Sequence, residues 1–502
     1  MRQGSRRLRR VRDLRWLKIG QAIFAVAALV LSQGASSARP ATPQVRGASG
    51  RLPDGALWRA EVPDHWNGTL LLFSHGYALR ISKPRVAPRG TGDWLLAHGY
   101  ALVASSYSEP GWALAQAVPD QLGALEAFKS HFGTPARTIA WGESMGGLIT
   151  VALAERYPDR FAGAAPECGS LAGSVGMMNE ALDGAFAFKT LLAPLSRIRV
   201  VNTRNDKENA QRVSAVLQAA MRSPQGRARV ALASALAQLP HWTQAGTARP
   251  PASQAMSQLR QIASAFTMGV FLPREDQEQR AGGNFSWNVG VNYRTQLRRS
   301  GETAWVEQWY KKAGLSLGSD LRKLDAVRRI EANPKALAYM QKNYVPSGYL
   351  KIPVLSMHTL GDGMTVPTQQ QSYFDAVRAA GREKYLSVAW VDRAGHCNFT
   401  PAERIASLNA LISRINTGMW RASAAELNAL AARTKLGKSR FVPHHSAPFL
   451  RPCIQGKRCI PKDARRNSKR SVDPRISRDR HYPAEYGTTQ RTPDVVKAAL
   501  PQ

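Results

Sequence analysis

The chain has 502 residues, of which 44% are hydrophobic and 21% charged, a composition that can bury a large core. At this length two lobes, or one core carrying a large insertion, are expected. The net charge of +34 is concentrated at the ends, with +8 over residues 1–40 and +11 over residues 435–502, so it does not mark the body as a nucleic-acid module.

Residues 1–38 read as a signal peptide. Eight Lys or Arg lie between positions 2 and 18, an apolar run covers 19–31, and small residues follow around Ala35 and Ala38. The apolar run is shorter than the ~20 residues needed to span a bilayer, and no later stretch resembles a membrane span. The expectation is export to the periplasm or medium, with an uncleaved signal anchor as the alternative. Residues 39–56 read as a linker.

Strands are predicted at 57–62, 69–74 and 101–105, then at 138–141 and 161–166, with helices at 94–98, 119–132 and 147–157 between them. This alternation predicts a mostly parallel α/β sheet flanked by helices. It stops at 170. Residues 171–345 are helical in pattern and form a large insertion before the last two strands, at 354–358 and 385–391. Helices are predicted at 368–380 and 401–417. The core therefore comprises 57–170 and 346–420, with an extension at 421–460. Residues 461–502 read as a basic, polar, disordered tail that is solvated, with contact to anionic envelope polymers as the alternative.

The central motif is Gly142-Glu143-Ser144-Met145-Gly146, placed directly after a strand and directly before a helix. A sharp strand-to-helix turn holds such a serine in strained geometry, and small flanking residues let the backbone approach closely. A second copy, Gly314-Leu315-Ser316-Leu317-Gly318, has no strand before it and reads as a helix–helix loop.

A serine nucleophile needs a base, and His396 follows the last strand; His75, His98 and His358 compete less well by position. The base needs an acid. Asp362 sits just past strand 354–358, with Glu167 and Asp392 as alternatives. The order Ser144, Asp362, His396 differs from the chymotrypsin and subtilisin orders. Backbone N–H groups of Tyr77, after His75-Gly76, and of Met145 are the candidate oxyanion donors.

His75-Gly76, Gly142-Glu143-Ser144-Met145-Gly146, Asp362 before Val366-Pro367, and Gly395-His396 together resemble the α/β-hydrolase superfamily. The likeness covers roughly residues 57–420. Within it, the chain loosely resembles secreted bacterial esterases of the tannase-like and polyester-depolymerase kinds. The resemblance implies a serine esterase acting on a small or polymeric ester, with the 171–345 insertion as a lid. A peptidase or amidase acting on exported peptides is the alternative. No cofactor, metal or nucleic-acid partner is implied.

Four cysteines in an exported chain favour two disulfides. Three connectivities are open; Cys453 and Cys459 are close enough to close a small loop, which would leave Cys168 and Cys397 either paired or as free thiols. In the resembled fold the histidine loop crosses the end of strand 161–166, so a Cys168–Cys397 bond would anchor it. Tannase-like enzymes tie that loop with a cysteine next to the nucleophile, where this chain has Glu143. In the insertion, Phe186, Phe188, Trp287 and Tyr293 are the candidate pocket residues.

Overall fold

The computed structural model describes residues 44–271, 273–453 and 459. The signal-peptide and tail expectations lie outside the described residues. Among the described residues, no helix is long and apolar enough to cross a membrane.

A nine-stranded sheet organises the chain: β1 (Val45–Arg51), β2 (Leu57–Pro63), β3 (Thr69–Ser74), β4 (Ala101–Ser105), β5 (Arg137–Glu143), β6 (Gly163–Glu167), β7 (Val354–Gly361), β8 (Leu386–Ala394) and β9 (Phe441–Val442). The spatial order is β1-β2-β4-β3-β5-β6-β7-β8-β9. Strands β3 to β8 run parallel, and β1, β2 and β9 are antiparallel to their neighbours. This is the mostly parallel, helix-flanked sheet expected for an α/β-hydrolase.

The central strands are apolar throughout because both faces of the sheet are covered. Side-chain alternation sends Leu70 and Leu72 of β3, and Ala101 and Val103 of β4, to one core, shared with α2 (Leu114–Phe132) and α3 (Met145–Arg156). Leu71 and Phe73, with Leu102 and Ala104, enter the opposite core, beneath α1 (Gly92–Ala97), α14 (Pro401–Thr417) and α15 (Ala424–Thr434). One expectation is corrected here. The 39–56 stretch is not linker throughout, because Val45–Arg51 pairs along its whole length with β2. It is exposed on both sides, and an edge strand of that kind carries no hydrophobic alternation to read.

Between β6 and β7 lie α4 (Gly173–Leu192), α5 (Asp206–Met221), α6 (Pro224–Leu236), α7 (Ala255–Val270), α8 (Glu275–Ala281), α9 (Tyr293–Ser300), α10 (Thr303–Lys312), α11 (Leu317–Ala326) and α12 (Pro334–Tyr344). Much of this helical insert packs around a core of its own, with Phe188, Leu232, Phe266 and Tyr310 among its buried members. Helix α13 (Thr368–Ala379) follows β7. After β9 the chain returns across the insert. Gln238 accepts from the Leu450 N–H at 2.9 Å and donates to the Pro448 carbonyl at 3.1 Å. Arg451 donates to Asp183 at 2.6 Å and to the Trp287 carbonyl.

Candidate active site

Strand β5 ends at Glu143, and α3 begins at Met145. Ser144 makes the whole turn, with φ 60° and ψ −125°. That conformation is costly for a residue with a side chain and persists only where the surroundings impose it. They do so through close packing. A Cβ on Gly146 would stand 2.0 Å from the Ser74 carbonyl oxygen, and one on Gly142 would stand 2.5 Å from the Gly146 oxygen. The Ser144 N–H donates to the Glu167 carbonyl at 3.0 Å, which ties the turn to β6.

His396 enters from the loop between β8 and α14. Its Nε2 is 2.9 Å from Ser144 Oγ, and its Nδ1 is 2.8 Å from Asp362 Oδ2. Asp362 is fully buried just past β7. Its Oδ1 accepts the N–H groups of Met364 and Thr365 at 2.9 and 3.0 Å. Burial alone would raise its pKa, but the His396 charge and hydrogen bond lower it below the ordinary value. For His396, burial works to lower the pKa, and the Asp362 charge and hydrogen bond, with Glu143 adding, raise it above 6.5. An ionised acid therefore fixes Nδ1 as the protonated nitrogen and leaves Nε2 free to accept the Ser144 proton.

The loop after β3 lies against the serine. A Cβ on Gly76 would be 3.1 Å from the Ser144 Cβ. This brings the Tyr77 backbone beside Ser144, while Met145 opens α3, where the helix supplies no partner for its N–H. Burial, then Asp276, pushes the Tyr77 phenol up to about 12.

Cys168 and Cys397 are disulfide-bonded, with Cα atoms 5.3 Å apart, and so are Cys453 and Cys459. The first bond joins the residue after β6 to the residue after His396.

Above Ser144 opens a cavity of about 730 Å³. Tyr77, Leu79, Trp112, Met177, Met268 and Met364 give it apolar walls, and Lys83, Arg85, Glu143 and Gln277 supply the polar groups. None of the four aromatics expected there lines it. Phe186 and Phe188 are buried in the core of the insert, where Phe186 stacks on Tyr293. Tyr293 hydrogen-bonds Asp183, and Trp287 packs in the core beneath the sheet. An aromatic in an amphipathic helix looks the same in sequence whether it faces a pocket or a core. The wall residues Trp112, Met177 and Met268 are separated by long stretches of chain, so no local pattern marks them.

The other candidates are placed elsewhere. Ser316 caps α11 through the Ser319 N–H. Glu167 accepts from the Trp141 indole at 2.8 Å and pairs with Arg404, and Asp392 pairs with Arg249. His75 bonds the carbonyls of Gly76 and Ser106, and His98 stacks on Trp94. His358 is buried, with Nε2 donating to the Thr365 carbonyl at 2.6 Å. Among the described residues, no three His, Cys, Asp or Glu side chains converge as metal ligands do.

A sequence profile of the prolyl oligopeptidase family matches residues 114–189, which run from α2 through the serine turn into α4. A curated relative from Xanthobacter agilis, named o-phthalyl amidase, is 28% identical over 429 residues, covering 78% of this chain and 93% of its own length. Among solved structures, an Aspergillus oryzae esterase aligns with TM-score 0.39 and 12% identity over 75% of this chain and 86% of its own. A Pyrococcus horikoshii acylaminoacyl peptidase aligns with TM-score 0.35 and 13% identity over 75% of this chain, which spans only 42% of that peptidase. With a serine at the turn between β5 and α3, a mostly parallel sheet in this strand order, and a family profile that spans that turn, the chain is a serine hydrolase of the α/β-hydrolase type.

Proposed function

We propose that this protein is an exported hydrolase that cleaves carboxylic esters through an acyl-enzyme. The observation that carries the reading is the unbroken hydrogen-bond line from Asp362 through His396 to Ser144, set at an apolar cavity. In this reading Ser144 attacks the acyl carbonyl while His396 Nε2 takes its proton. Asp362 stabilises the resulting imidazolium. The backbone N–H groups of Tyr77 and Met145 hold the oxyanion, each worth on the order of 10²–10³ in rate. His396 then gives its proton to the leaving group, and water, deprotonated by the same ring, releases the acid. The apolar walls suit an aromatic or aliphatic acyl group. The two disulfides support export to an oxidising compartment.

A second reading, with an amide as the scissile bond, is favoured by the relative named o-phthalyl amidase. The same groups serve both bonds, since the acyl half of the reaction is shared. The test sets nitrophenyl esters of graded acyl size beside the matching anilides, with wild type and Ser144→Ala. Loss of at least 10³-fold in kcat is expected for the variant. Activity that survives Ser144→Ala overturns the triad, and turnover of anilides without esters selects the amide reading.

A further inference from the structure

The residue before the nucleophile carries a charge that the proposed triad does not use. Glu143 ends β5, lines the cavity beside Ser144 and His396, and is only 15% exposed. One of its oxygens accepts from Arg85 at 3.0 Å and the other from Arg404 at 3.1 Å. Arg404, on α14, is 6% exposed. It also pairs with Glu167 and donates to the Cys397 carbonyl at 3.2 Å. Arg85, Glu143, Arg404 and Glu167 thus form a row of alternating charges. The row touches the chain on both sides of the site: Glu143 precedes Ser144, and Cys397 follows His396.

The row is not electrically even. Arg404 is shared between the two carboxylates, and the other charge facing Glu143 is Arg85, whose side chain is 56% exposed and therefore partly screened by water. A negative charge is left in the cavity wall, where the local dielectric is low. The proposed reaction places a positive charge on the His396 ring at the moment of attack. A carboxylate in the same cavity favours that charge without bonding to the ring.

We propose that Glu143 is a second acid for the base: a positioning residue that stabilises the His396 imidazolium through space and, with Arg404, holds the serine turn and the histidine loop in register. The inference rests on the triad reading above. The charged and titratable groups around His396 come from every neighbouring element. They are Asp362 and His358 from β7 and the loop after it, Glu143 from β5, Glu167 from β6, Arg404 from α14, and His75, Tyr77, Lys83 and Arg85 from the loop after β3. Of these, Asp362 and Glu143 act to keep the ring protonated.

The experiment is the pH dependence of kcat/KM on a nitrophenyl ester for wild type, Glu143→Gln and Arg85→Gln, with Ser144→Ala alongside. Removing the negative charge should move the acid limb down by about half a pH unit. Removing its exposed counter-charge, which water partly screens, should move the limb up by a smaller amount. Arg85 is exposed enough that its substitution leaves the fold intact, so this variant decides the matter if Glu143→Gln does not fold. An unmoved limb in Arg85→Gln, or in a folded Glu143→Gln, overturns the inference, since a purely structural tie would lower the rate equally at every pH. Survival of activity in Ser144→Ala would instead sink the triad reading itself.

Discussion

The Thr365 hydroxyl lies 3.0 Å from Asp362 Oδ2, the same oxygen that receives the Nδ1–H of His396. Thr365 also stands 3.0 Å from the Cys168 carbonyl and 3.2 Å from His396 Nδ1. One small side chain thus touches the proposed acid, the proposed base and the end of β6. Thr365→Val keeps the shape and removes the hydroxyl. A hydrogen bond to a charged group contributes about 1.5–3 kcal/mol, so a fall in kcat of roughly 10-fold or more is expected with KM little changed. Steady-state kinetics on an ester that wild type cleaves will check this, and unchanged kcat would remove Thr365 from the site's support.

The acid side of the activity profile follows from His396. Its pKa is held above 6.5 against the effect of burial. Only the neutral ring can take the Ser144 proton, so kcat/KM should decline as pH falls through that raised value. The midpoint of the acid limb is expected above pH 6.5, and a midpoint below it contradicts the assignment. The raised pKa also links to stability. The folded protein keeps a proton that the unfolded chain releases, so the contribution is present below pH 6.5 and is lost as pH rises through the folded value.

The Cys168–Cys397 bond closes a span of 229 residues and sits beside the proposed base. Both cysteines have positive φ, 42° and 52°, a conformation the bond helps to hold. Replacing both by Ser is expected to cost about 2–5 kcal/mol of stability and to lower kcat more than it changes KM. Thermal unfolding and kinetics, measured on the same double variant, separate the two effects. Unaltered kcat at a temperature where the variant is folded would show that the histidine loop needs no covalent anchor.

The central strands and the serine turn were legible because each is written in contiguous residues. Thr69–Ser74 is a short apolar run, and the glycines around Ser144 stand where a Cβ would strike backbone. Chain order narrowed the partners: Asp362 and His396 each follow a late strand, and His396 reaches the serine while Asp362 reaches His396. The Cys168–Cys397 pairing was legible once the fold was assumed, because the two loops cross at one sheet edge. The cavity wall was not legible. Leu79 comes from the loop after β3, Trp112 precedes α2, Met177 lies on α4 and Met268 on α7, and only tertiary packing brings them together. Glu143 was in plain view in the motif, yet its charge gained meaning only when Arg404 was seen to face it from 261 residues away.

The return of the chain after β9 bears on how molecules reach Ser144. The helical insert is continuous with the sheet at β6 and β7, and Arg451 ties it again through Asp183. The Gln238 bonds to Pro448 and Leu450 and the Trp112 indole bond to Ser174 add further ties between the insert and the rest of the chain. Leu79 and Met268 line the cavity and are both exposed to solvent, which places them at its rim. In the proposed reaction an acyl group would pass these two side chains before it meets Ser144, so their shape would be the first to select it.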